Sequence, residues 1–273
     1  MGLIYGLLGE KLQHSFSPQI HSYIFDVLGI DAQYKLFEIK KEDLGDFVRN
    51  LVESGIKGIN VTIPYKLEVM KHLDHISSEA ERIGAVNTIA AGDRLIGFNT
   101  DYIGFGAMLN KHEIQVSGKS AVVLGTGGSA RTIACYLIDN DISKVTIVSR
   151  KRFDSENSIN IPGVEIIDYH QLNQVKNQDI IINCTPCGMY PNTACAPVDP
   201  KVLGGFEAAV DIIYNPKETL FLREARARGL KTANGLYMLA AQAVAAYKHW
   251  NGIELDKASI DEVYINILSI NNF

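Results

Sequence analysis

SAVVLGTGGSARTIACYLIDN, residues 120–140, is the stretch whose reading decides the fold. A short apolar run leads into Gly125-Thr126-Gly127-Gly128-Ser129-Ala130, and apolar residues then recur at helical spacing. The pattern G-x-G-x-x-[G/A] is weak by itself. A strand before it and a helix after it give it meaning. Glycines let the backbone approach a pyrophosphate, and the helix that follows turns its free N–H groups and partial positive end toward the same point. All six turn residues are therefore expected to cradle a dinucleotide.

Downstream, KVTIVSR, VEIID, DIIINCT, AAVDIIY and LKTANG read as short, mostly apolar strands. Such strands suit a parallel sheet covered on both faces, a Rossmann-type doubly wound unit. NPKETLFLREARARG between the last two reads as a helix, with Asn215 as cap, Pro216 at the first position and Gly229 as stop. The end of the second strand bears on the cofactor. NAD sites place an acid there to hold the ribose 2′-hydroxyl. Here the residues are Ser149-Arg150-Lys151-Arg152. Cations attract a 2′-phosphate, and Arg can also stack on the adenine, so NADP is expected.

Upstream the pattern differs. LIYGLLG, QYKLFEI and GIKGINVTIP read as strands. Ser17 is a candidate cap for the helix that follows it, with Pro18 at the first position and Gly29 as stop. EDLGDFVRNLVESG reads as a second helix, and AVNTIAAGDRLIGFNTD as a hairpin around Gly92-Asp93. Two helices, LYMLAAQAVAAYKHWNG and SIDEVYINILSI, come after the sheet is complete. They are placed back on the N-terminal region. The expected class is α/β with two domains. Residues 1–101, completed by 237–273, form a discontinuous substrate domain, and residues 102–236 form the NADP-binding Rossmann domain.

Composition narrows the function classes. The chain has 273 residues, 47% hydrophobic and 21% charged, which suits packed globular domains. Lys and Arg number 26 against 31 Asp and Glu, a net charge of −5 with no basic arm, which argues against nucleic-acid binding. No apolar run approaches the roughly 18 residues of a membrane span, and the first residues read as a strand. The expectation is a cytoplasmic protein, monomer or homodimer, acting on a small molecule. Cys184 and Cys187 form a C-x-x-C without a second pair or a nearby ligand His. They read as reduced thiols beside a strand end, not as a metal site.

HSFSP, NVTIPYK, AVNT and GFNTD lie outside the nucleotide unit, each at a strand end or turn. Taken one by one they are a cap, an edge lysine, a polar hairpin and a turn. Together with DIIYNP and MLAAQA, and with G-x-G-G and N-x-T-P-x-G-M, they resemble the shikimate dehydrogenase family in order and spacing over nearly the full length. That resemblance implies NADP-dependent interconversion of 3-dehydroshikimate and shikimate, a step toward chorismate and the aromatic amino acids. It implies that Lys66 and Asp101 are the catalytic pair. It implies substrate contacts from Ser15, Ser17, Thr62, Asn87, Tyr214 and Gln242, and nicotinamide-side contacts from Thr185, Met189 and Gly235. Ser149-Arg150-Lys151 departs from the Asn-Arg-Thr often found in the family.

Elementary chemistry agrees. Two serines at a helix start can hold a carboxylate without arginine. Hydride arriving at a carbonyl carbon leaves charge on the oxygen, and Lys66 can donate the proton there. Asn87 and Gln242 both donate and accept, as vicinal hydroxyls require. Two other readings remain open. One is a quinate/shikimate dehydrogenase with relaxed NAD/NADP use, and the other a catalytically silent ligand sensor.

Overall fold

The computed structural model describes residues 2–13, 15–150, 161–172, 175 and 178–269. The chain divides into two compact units. One comprises residues up to Ile103 together with the chain from Ala240, the other Gly104–Leu239.

The first unit contains β1 (Leu3–Gly9), α1 (Ser17–Leu28), β2 (Ala32–Glu38), α2 (Leu44–Arg49), β3 (Ile56–Val61), β4 (His75–Ile76), α3 (Ser78–Ile83), β5 (Thr88–Ala91) and β6 (Leu95–Phe98). Its sheet has the order β2-β1-β3-β5-β6-β4. β1 pairs in parallel with β2 and β3, whereas β3, β5 and β6 run antiparallel to one another in turn. Leu8, Ile59, Val61 and Ile89 from the strands pack with Leu44, Val48 and Leu51 to form its core. The antiparallel register sets Asn60 opposite Thr88, and Thr88 opposite Phe98. These pairings bring the polar ends of three strands together.

α4 (Asp101–Lys111) leads into the second unit: β7 (Ser120–Leu124), α5 (Gly128–Asp139), β8 (Lys144–Ser149), β9 (Val164–Asp168), α6 (Tyr169–Leu172), β10 (Ile180–Asn183), β11 (Ala208–Asp211), α7 (Leu220–Ala227) and β12 (Lys231–Ala233). The sheet order is β12-β11-β10-β7-β8-β9, with every neighbour parallel. This is the doubly wound arrangement, whose order reverses between β7 and β10. Every residue of β7 and of β10 is buried, as a doubly covered sheet requires. α8 (Leu236–Asn251) and α9 (Lys257–Ser269) close the chain. From Ala240 they belong to the first unit, where Tyr247 and Trp250 join Tyr5, His21 and Phe25 in an aromatic cluster.

Several local expectations give way. Ser17 is the first residue of α1, not its side-chain cap; Ser15 Oγ instead accepts the Ser17 N–H at 3.2 Å. The segment before Gly55 is a 3₁₀ turn over Lys41–Asp43 followed by the six residues of α2, not one long helix. α7 begins at Leu220, with Thr219 rather than Asn215 as cap. The reason is tertiary: the Thr219 hydroxyl accepts the Leu222 N–H and also donates to Asp211 at the end of β11. β3 ends at Val61, three residues before Pro64.

Candidate active site

Three backbone hydrogen bonds draw the expected catalytic segments of the first unit together. Val61 N–H donates to the Asn87 carbonyl at 2.8 Å, Val86 N–H to the Lys66 carbonyl at 2.8 Å, and Asn87 N–H to the Phe98 carbonyl at 3.1 Å. Tyr65, next to Lys66, is buried and donates its hydroxyl to the Ile39 carbonyl, which anchors this turn. Asp101 opens α4, where the positive end of the helix favours a carboxylate. Asn99 accepts the Tyr102 N–H at that helix start and donates to the Ala85 carbonyl.

The side chains then meet. Lys66 Nζ forms an ion pair with Asp101 Oδ2, and the two side chains are only 13% and 8% exposed. Asn87 Nδ2 donates to Asp101 Oδ1 at 2.9 Å and to Thr100 Oγ1 at 3.1 Å. Thr100 N–H donates to Asn87 Oδ1 at 2.7 Å, so the orientation of that amide is set by a group that can only donate. One carboxylate is thus held by a cation on one oxygen and an amide on the other. A lysine amine so anchored can give or take a proton at a fixed point.

The first unit also holds Ser15 and Ser17 at the start of α1, Thr62 just past β3 and Gln242 in α8. Ser15 uses its oxygen to accept the Ser17 N–H, which leaves its hydroxyl hydrogen available. Ser17 is buried but carries no cap bond. Asn60, Thr88 and Thr100, all buried and hydrogen-bonded into the same cluster, were not singled out from sequence. The signal that could have found them is a run of polar residues at the meeting ends of paired strands.

In the second unit, Gly125 follows β7 with φ of 111°, and a Cβ there would lie 3.2 Å from Thr185 Cγ2 and 3.3 Å from the Cys184 carbonyl. The positive φ calls for glycine, and a Cβ would also press on these two neighbours. Gly127 faces open space at the start of α5, with Gly128, Ser129 and Ala130 in its first turn. The first N–H groups of a helix have no partner within the helix, and such an end suits a pyrophosphate. Ser149 ends β8, Arg150 follows it, exposed, and no carboxylate stands at either position. Thr126 is half-buried within the glycine turn. Lys151 and Arg152 lie outside the described residues, as does His14.

Thr185 sits in the turn after β10, with its N–H and hydroxyl both donated to Asn183 Oδ1, at 3.0 and 2.7 Å. Met189 is exposed in the same loop. Tyr214 lies beyond β11, and burial raises its pKa above the usual phenol value. At Gly235 a Cβ would sit 2.0 Å from the Ile212 carbonyl oxygen, so packing alone demands glycine there.

The cysteine expectation is corrected. Cys187 and Cys195 form a disulfide, with Cα atoms 5.5 Å apart. The loop folds back on itself and brings the pair within bridging distance, which the C-x-x-C spacing does not reveal. Cys184 remains a free thiol, and burial raises its pKa above the ordinary range. Among the described residues no group of three His, Cys, Asp or Glu could hold a metal ion, and no helix is long and apolar enough to cross a membrane.

Residues 7–89 match the family described as shikimate dehydrogenase substrate binding domain. A shikimate dehydrogenase (NADP(+)) of Clostridium perfringens (strain 13 / Type A) is 48% identical over 266 residues, 96% of this chain and 97% of the relative. The chain belongs to the shikimate dehydrogenase family. Its fold is that of solved shikimate dehydrogenases. The crystal structure of shikimate dehydrogenase 1 from Peptoclostridium difficile is 44% identical, covers 99% of each chain and superposes with a TM-score of 0.94. A shikimate 5-dehydrogenase from Thermus thermophilus, solved with NADP(H) and shikimate, is 32% identical over 97% of this chain and 99% of that one, with a TM-score of 0.83.

Proposed function

We propose that the chain catalyses the reversible NADP-dependent reduction of 3-dehydroshikimate to shikimate, with Lys66 and Asp101 as the proton-handling pair. The observation that carries this reading is the largely buried ion pair of Lys66 Nζ with Asp101 Oδ2, its second oxygen held by Asn87. In the reducing direction Lys66 Nζ donates a proton to the carbonyl oxygen as that oxygen gains charge, and in the oxidising direction it receives one. Asp101 holds the amine at that point and accepts from a substrate hydroxyl, with Asn87 beside it as a further substrate contact. Ser15 and Ser17 bind the substrate carboxylate at the start of α1, and Thr62, Tyr214 and Gln242 make further contacts. NADPH supplies the hydride when bound.

For that cofactor the cradle is Gly125–Ala130 at the start of α5. Ser149 and Arg150, with Lys151, receive the 2′-phosphate, and the absence of a carboxylate at Ser149 and Arg150 favours NADP over NAD. Thr185, Met189 and Gly235 face the nicotinamide. The product feeds aromatic amino-acid biosynthesis in the cytoplasm, and the working form is a monomer or homodimer.

Steady-state assays following reduced-nicotinamide absorbance should cross shikimate and quinate with NADP and NAD. Shikimate with NADP is expected to give the highest kcat/KM. A higher value with quinate or with NAD would reject the specificity, and no turnover with any pair would reject the function.

A further inference from the structure

An unbroken series of side-chain hydrogen bonds runs through the first unit away from the Lys66–Asp101 pair. Asn87 Nδ2 donates to Asp101 Oδ1 at 2.9 Å, and Thr88 Oγ1 donates to Asn87 Oδ1 at 3.2 Å. Asn60 Nδ2 donates to Thr88 Oγ1 at 3.1 Å, and the Tyr34 hydroxyl donates to Asn60 Oδ1 at 2.8 Å. Each direction follows from the one before. The Thr100 N–H fixes Asn87 Oδ1 as an acceptor, which leaves Nδ2 for Asp101. Asn60 turns its own Nδ2 toward Thr88 and the Asn87 carbonyl, so its oxygen can be satisfied only by a donor from the other side. Tyr34 is that donor.

With its one proton committed to Asn60, the Tyr34 oxygen can only accept. Burial raises the Tyr34 pKa well above the usual phenol value, which keeps the hydroxyl protonated as this donor. The ring itself is fixed from beneath. His21 stacks on it with centroids 4.1 Å apart and planes 3° from parallel, and His21 is in turn hydrogen-bonded to Tyr247. Through His21, Tyr34 therefore joins α1 to the buried amides beside Asp101, although it lies in an edge strand.

We infer that Tyr34 is a positioning residue for the substrate site, setting the Asn60 amide and through it the Asn87 and Asp101 side chains. This rests on the reading of Asn87 as a substrate contact. Tyr34→Phe keeps the ring and its stack on His21 and removes only the hydroxyl. One neutral hydrogen bond lost with a buried partner left behind corresponds to roughly a 3- to 10-fold rise in the KM for shikimate. The KM for NADP and kcat should stay within about twofold, because neither depends directly on this end of the series. Combined with Thr88→Val, the Tyr34→Phe effect should shrink, since residues acting through one another are not additive.

An unchanged KM for shikimate in folded Tyr34→Phe would overturn the inference. So would a fall in kcat and a rise in both KM values in parallel with a lower melting temperature, the signature of general loosening. If Tyr34→Phe does not fold, Thr88→Val tests the same series. It should raise the KM for shikimate, and Thr88→Ser, which keeps the hydroxyl, should restore it. Thr88→Ser behaving like Thr88→Val would overturn the inference. A native chain inactive with shikimate would instead reject the function proposed above and this inference with it.

Discussion

Asp101 and Asp211 are buried carboxylates, one in each unit, 6% and 0% exposed, and they are kept in opposite ways. Asp101 has a cation on one oxygen, an amide on the other and a helix start behind it. Asp211 ends β11 and accepts from three neutral donors: the Thr219 hydroxyl at 2.7 Å, Asn183 Nδ2 at 3.1 Å and the Ile213 N–H at 3.1 Å. Burial then dominates, and the Asp211 pKa is pushed up to about 6 despite those bonds. A carboxylate beside a cation can serve chemistry that needs a fixed charge. One among neutral donors serves as a staple: it ties the cap of α7 to Asn183, whose amide holds Thr185 and the Cys187 carbonyl.

The largest expected effect comes from breaking the first arrangement. Lys66→Ala removes the proposed proton donor and leaves Asp101 buried without its cation. We expect kcat to fall by roughly 10²–10⁴-fold, the usual span for a lost general acid–base, with a small change in the KM for shikimate. Pre-steady-state and steady-state rates on purified, folded protein decide it. A kcat equal to that of the native chain would remove Lys66 from the mechanism.

The two sites were unequally legible in the sequence. The glycine turn of residues 125–130 announces itself because strand, turn and helix are contiguous, and a backbone cradle needs no distant side chain. Lys66 and Asp101 are 35 positions apart, and only the family pattern joined them. Asn60, Thr88, Thr100 and Tyr34 are each ordinary in sequence. Their meaning comes from register, which sets Asn60 opposite Thr88 across two antiparallel strands. The helix caps misread at Ser17 and Asn215 fail for a related reason. Thr219 wins the second cap because Asp211, from a neighbouring strand, orients its hydroxyl. The disulfide was illegible because its cysteines are eight positions apart in a loop, and only the loop's path brings them together.

Acid should then separate the units, because their buried titratable groups shift in opposite directions. Asp211 has a folded pKa of about 6 against 3.8 unfolded. The folded state binds more protons between those values, so stability rises as pH falls through 6 toward 4, by about 3 kcal/mol in total. His21 does the reverse. It lies among Phe25, Tyr34, Tyr247 and Trp250 beside the Asn60 amide, and burial lowers its pKa to about 3. The unfolded chain takes up that proton below 6.5, so stability is lost as pH falls, by roughly 2–3 kcal/mol near pH 4.5. Urea unfolding at a series of pH values should show Asp211→Asn with a steeper acid loss than the native chain, and His21→Phe with a shallower one. Hydrogen exchange should place the early acid opening in the first unit. Parallel pH profiles for the native chain and both variants would refute the assignment of these two groups.

The smallest expected effect concerns the loop that Asp211 helps to hold. Thr185 is anchored by Asn183 whatever the state of the cysteines, but Met189 lies between Cys187 and Cys195 and is exposed. A dithiol such as dithiothreitol reduces the bond to two thiols and is itself oxidised to a disulfide. Residues 188–194 then lose one of their two fixed ends. Ordering them again on binding should raise the KM for NADP by roughly two- to threefold. The KM for shikimate should not move, since the first unit's site is held by hydrogen bonds and an ion pair with no cysteine among them. Cys195→Ser should show the raised KM without reductant and no further response to it. An equal response to dithiothreitol in Cys195→Ser would place the effect elsewhere. A KM for shikimate that moved as much as the KM for NADP would mean the two sites are less independent than the contrast between Asp101 and Asp211 implies.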